Sequence, residues 1–81
     1  MTDNQFIRAV ILEVANAREK FPSNDGLTLA LAEESGEAIK AAMDENLDFL
    51  RAECVQTAAM ALRLAVEGDP MVDALRKGRE G

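Results

Sequence analysis

The chain has 81 residues, 48 % of them hydrophobic, with one cysteine, no histidine and a formal net charge of −6, and it reads as a single domain over residues 1–81. That charge argues against nucleic acid or an acidic membrane as the main partner. The cysteine and histidine counts exclude an internal disulfide, a Cys/His zinc cluster and any Ser/His/Asp or Cys/His nucleophile. A chain this short buries only about 60 % of its unfolded surface, so oligomerisation is the expected route to a sufficient core. The start, Met1-Thr2-Asp3-Asn4, has neither a basic region nor an apolar stretch, and no apolar run reaches the ~20 residues of a membrane span. A cytoplasmic protein is expected.

Thr2 followed by Gln5 predicts a capping box, and Ile7, Val10, Ile11, Val14 and Ala17 recur behind it at helical spacing up to about Lys20. Phe21-Pro22-Ser23-Asn24-Asp25-Gly26 reads as a loop, because the residue before a proline avoids the helical region. A second helix is predicted from Asp25 or Gly26 to about Asp44, capped by Ser23, Asn24 or Asp25. Its stripe is Leu27, Ala30, Glu34, Glu37 and Ala41, an apolar seam with two acids at its centre.

Asp44-Glu45-Asn46 can turn the chain, with Asn46 or Asp48 as the next cap, and a third helix is predicted to about Glu67 with Gly68 past its end. One of its stripes is Phe49, Glu53, Gln56, Met60 and Arg63 or Leu64; its other faces carry Cys54, Ala58, Ala61, Val55, Ala59 and Leu62. A helix apolar nearly all round must be covered on most sides, which two further helices of this chain cannot do, so a partner subunit is expected. Asp69-Pro70 predicts a last short helix to about Lys77. No strand pattern appears, and the fold class expected is all-α.

Glu34 and Glu37 share one helix face, as do Glu53 and Gln56, and the 15 residues between Glu37 and Glu53 leave room for a turn back. Three carboxylates and an amide would then converge. The bland reading makes Glu33, Glu34 and Glu37 ordinary surface glutamates, with Glu37 and Lys40 an i,i+3 pair, and pairs Glu53 with Arg51 or Arg63. Against it stands the seam, since an unpaired buried carboxylate costs several kcal/mol. A hard divalent cation such as Mg²⁺, which takes oxygen ligands and is commonly shared with phosphates, answers that cost. A di-iron bundle normally needs Glu-x-x-His motifs and is set aside. Cys54 is expected to be packed rather than reactive.

Leu31-Ala32-Glu33-Glu34-Ser35-Gly36-Glu37-Ala38 and Glu53-Cys54-Val55-Gln56 resemble the E-E-x-x-E…E-x-x-D signature of the all-α NTP pyrophosphohydrolases, the MazG-like group. Phe21-Pro22 before the acidic helix and Gln56-Thr57-Ala58-Ala59-Met60-Ala61 after the second motif are similar too, so the resemblance spans roughly residues 5 to 67. It implies an antiparallel helical bundle completed as a homodimer or homotetramer, and Mg²⁺-dependent cleavage of a (d)NTP to (d)NMP and pyrophosphate. By motif position Glu34, Glu37 and Glu53 would be metal ligands, with Glu33 beside them and Gln56 where the family usually has Asp. Glutamine ligates through a neutral oxygen, so the site would carry less negative charge, or Gln56 would orient a ligand carboxylate instead. Lys20, Lys40, Arg51 and Arg63 are the candidate phosphate partners. The rival expectation is a non-catalytic oligomeric module that binds a nucleotide or a protein partner.

Overall fold

The computed structural model describes residues 1–80, and side chains as far as residue 79. Four helices follow one another: α1 (Asp3–Lys20), α2 (Leu27–Met43), α3 (Leu47–Glu67) and α4 (Pro70–Glu80). The described residues include no strand, and none of their helices is long and apolar enough to cross a membrane.

Helix α1 starts on the expected capping box: the Thr2 hydroxyl accepts from the Gln5 amide at 3.2 Å, and the Thr2 amide donates to the Gln5 side chain at 2.8 Å. Its buried stripe is narrower than the sequence pattern, since Val10, Val14 and Ala17 are covered while Ile7 and Ile11 face outward. Asn46 caps α3 by accepting from the Phe49 amide at 3.1 Å, and Gly68 past the end of α3 has φ +72°, a conformation that side chains disfavour. Glu45 in the α2–α3 turn adopts a left-handed φ of 56° without being glycine.

Helix α3 is the hub. It packs more extensively against α2 than against α1, whereas α1 and α2 hardly meet. Ala59 at the centre of α3 is fully buried with Val10 and Val14 of α1, flanked by Phe6, Val55, Ala58, Met60 and Leu62. Two helices laid separately on a third leave a trough between them, floored by α3 and closed at one end by the 21–26 loop.

That end is tied by reciprocal capping. Asn24 Nδ2 donates to the last carbonyl of α3, at Glu67 (2.8 Å), and to that of Gly68 just past its end (3.3 Å). In return the buried Asp69 carboxylate accepts from the backbone amides of Gly26 (3.0 Å) and Thr28 (2.9 Å) at the start of α2, and from Met71 (3.0 Å) at the start of α4. The sequence expectation placed the α2 cap on Ser23, Asn24 or Asp25; the structure corrects this, because Gly26 itself is the left-handed N-cap position and the accepting oxygens come from Asp69. Those amide bonds, led by Thr28, hold the Asp69 carboxyl below its ordinary range.

Arg63 completes the junction. It is 1 % exposed, its Nε donates to Glu67 Oε2 at 2.8 Å, and its Nη2 donates to Glu67 Oε1 at 3.0 Å and to the Ser23 carbonyl at 3.3 Å. Arg18 adds a bond from α1 to Glu67 Oε2 at 3.1 Å. The hydrogen bond from Arg63 is the largest cause that pulls the Glu67 carboxyl down to about 2.

The fully buried apolar set among the described residues is small: Val10, Val14, Ala17, Leu27, Ala41 and Ala59. Large apolar side chains lie open on every helix, including Ile11 and Leu12 on α1, Ile39 and Met43 on α2, Val66 on α3 and Leu75 on α4. Isolated cases need no explanation, but this density leaves a core too small for a chain of this length.

Candidate functional site

The α2–α3 contact brings Glu34 and Glu53 together. Each is half-buried, and their carboxyl groups lie within hydrogen-bonding reach across the seam. Glu53 Oε2 is buried and, among the described residues, no N–H or hydroxyl donor reaches it. The pairing expected of Glu53 with Arg51 or Arg63 is not the one formed: Arg63 is bonded to Glu67 and Ser23, and Arg51 is exposed. Two acids therefore face each other with no base between them.

Electrostatics follow from that arrangement. Burial pushes the Glu34 carboxyl up to about 7, and the adjoining Glu53 adds to the rise through a shared hydrogen bond and like charge; Glu33 and Glu37 contribute smaller repulsions. That rise favours the protonated Glu34 carboxyl in the metal-free protein, where a neighbouring cation would favour its ionised form.

The other candidates stand around this pair at different depths. Glu33 and Glu37 are exposed on α2, and Glu37 borders a shallow groove with Lys40, Asp44 and Phe49. Among the described residues no three acidic or thiol side chains stand close enough to share one ion, so the structure gathers two of the expected ligands and leaves Glu37 one turn away in solvent. Gln56, half-buried, lines the trough together with Glu34. Lys20 is exposed at the same trough, Lys40 is exposed beside Glu37, and Arg51 lies on a separate groove with Phe6, Leu50 and Cys54. Arg63 reaches the trough from below, with its Nε and Nη2 already engaged.

The trough has a volume of about 360 Å³. Its walls mix apolar groups, Leu27, Ala30 and Met60, with Glu13 and Asn16 from α1, which the motif reading did not single out. The signal for them was present but weak: Glu13, Ala17 and Lys20 follow each other at steps of 4 and 3, beside the buried stripe of α1.

Hard oxygen donors, an orphaned buried carboxylate oxygen and a neighbouring acid with no counter-charge fit a divalent cation such as Mg²⁺. No family model, curated protein or solved structure matches the chain.

Proposed function

We propose that the protein is a Mg²⁺-dependent nucleoside triphosphate pyrophosphohydrolase of the MazG-like kind, converting a (d)NTP to (d)NMP and pyrophosphate, with surplus or non-standard nucleotides as substrates. The observation that carries this reading is the Glu34–Glu53 pair: two facing carboxyl groups, one with a buried oxygen that no N–H or hydroxyl donor among the described residues reaches. Such a pair is costly in a purely structural seam, where alanine or leucine would serve.

Glu34 and Glu53 would hold the ion, with Glu37 swinging in from solvent as a third ligand. Bound there, Mg²⁺ supplies neutralisation of the triphosphate and of the leaving pyrophosphate. Glu34 lines one edge of the trough, with Glu53 against it across the α2–α3 seam, and this edge would be the phosphate end; Glu34 would give up its proton on binding the ion. Glu33, exposed on α2 next to Glu34 in sequence, would accept at a carboxylate oxygen the proton of the water that attacks the α-phosphorus. The bond from that phosphorus to the bridging oxygen breaks, and the electron pair leaves with pyrophosphate. Lys40, exposed beside Glu37 on α2, would attract the departing charge, whereas Lys20 is exposed on the α1 side of the trough. The exposed apolar side chains would be covered by a second copy, as homodimer or homotetramer.

The rival, a non-catalytic oligomeric module binding nucleotide or a protein partner, draws on the exposed position of Glu37 and the neutrality of Gln56. The two separate in one experiment: thermal melting with Mg²⁺ and with a nucleotide, beside pyrophosphate release from a panel of (d)NTPs by the protein and its Glu37→Gln and Glu53→Gln variants. Turnover lost in both variants supports the enzyme. Stabilisation without turnover supports binding alone.

A further inference from the structure

We propose that the far wall of the trough, Glu13 and Asn16 of α1 facing Gln56 of α3, reads a nucleobase and selects bases carrying an exocyclic amine. The proposal rests on the pyrophosphohydrolase reading for the triphosphate but on different residues. Glu34 places the phosphate end on the α2 side, and the trough runs from there across the α3 floor to α1. A space of about 360 Å³ with Leu27, Ala30 and Met60 on its walls suits a flat heteroaromatic ring.

The polar groups set the choice of ring. Glu13 is half-buried and forms no salt bridge within the described residues. An ionised carboxylate only accepts hydrogen bonds, so it favours an amine and repels a carbonyl oxygen at the same place. Gln56 is half-buried and lines the trough, and Asn16, also lining it, is exposed. Carboxamides offer a donor and an acceptor side by side, the complement of an amine beside a ring nitrogen, as on the edges of cytosine and adenine. In this assignment Gln56 is a substrate-reading residue and not a cation ligand, which accounts for a neutral side chain where an acid would be expected.

The sharpest test uses isosteric pairs that differ by amine against carbonyl: dCTP with dUTP, and dATP with dITP. The expected result is a kcat/KM preference of about tenfold or more for the amine member of each pair, collapsing in Glu13→Gln, whose amide serves either partner. Gln56→Leu should raise KM for both members of each pair alike, because an amide serves either edge, and should keep the Mg²⁺-induced rise in melting temperature; loss of that rise would return Gln56 to the cation and overturn its assignment here. Asn16→Leu, at an exposed position, supplies a variant whose folding is not at issue and should raise KM more than it lowers kcat. Equal use of both members of each pair, or a ratio unmoved by Glu13→Gln, overturns the proposal while leaving the hydrolase intact. If no triphosphate is turned over, calorimetric binding of dCMP and dUMP decides it separately. Preference for dCMP that depends on Glu13 upholds the reading wall without the enzyme, and absence of binding by either overturns it.

Discussion

Replacing Glu34 by glutamine should stabilise the metal-free protein at pH 8. Glu34 and Glu53 are forced together by the α2–α3 contact, and Glu34 titrates near 7 against an ordinary 4.5. A folded-state value above the unfolded one means that the folded protein takes up a proton; the stability linked to it is complete below 4.5 and lost as the pH rises through 7. With no screening a rise of that size costs about 3 kcal/mol at pH 8, and the partial exposure of Glu34 reduces this to about 1–2 kcal/mol. Glutamine keeps the shape, donates to Glu53 and cannot ionise, so it removes the penalty. In EDTA at pH 8, Glu34→Gln should melt about 4–16 °C above the parent by circular dichroism. At pH 4.5 the two should melt together. Adding Mg²⁺ at pH 8 should raise the parent and leave the variant unmoved. A variant that melts lower than the parent at both pH values would refute the reasoning, since it would show the carboxyl to be a favourable structural contact.

Arg63→Met should cost about 3–5 kcal/mol, because it leaves the half-buried Glu67 carboxylate without its nearest partner, and urea titration measures the loss. Glu67 titrates near 2, so its ion pair supports the fold fully above 4.5 and weakens as the pH falls through 2; combined with Glu34, the metal-free parent should be most stable near about pH 5, which a melting series across pH checks. Asp69→Ala should lower the melting temperature by about 8 °C or more, since one side chain caps both α2 and α4, and amide exchange should speed up first at Gly26 and Thr28. Glu45→Gly should raise the melting temperature by about 2–6 °C by relieving a left-handed side chain in the α2–α3 turn.

The parts of this fold legible in the sequence are those whose partners lie close along the chain. Thr2 and Gln5 are three residues apart and form the box their spacing predicts; Asn46 and Gly68 bound α3 for equally local reasons. The cap of α2 was out of reach, because Asp69 lies 41 residues beyond Thr28 and its own neighbour Pro70 advertises only α4. Arg63 and Glu67 sit at helical i,i+4 spacing, so their pair was within reach; the apolar surroundings of α3 drew attention to Glu53 instead. In the site, the seam pattern located Glu34 and Glu53 correctly as facing groups. It placed Glu37 on the same seam, yet Glu37 is exposed, because α1 and α2 hardly meet and no third helix covers that edge of α2. Glu13 and Asn16 were missed since the trough they line exists only through that same separation of α1 from α2.

The most direct test of the central claim is phosphorus NMR of the folded protein incubated with Mg²⁺ and each (d)NTP in turn. The account predicts monophosphate and pyrophosphate in equal amounts from at least one nucleotide, none in EDTA, and none from Glu53→Gln. Diphosphate with inorganic phosphate as products, or unchanged triphosphate across the whole panel, would contradict it.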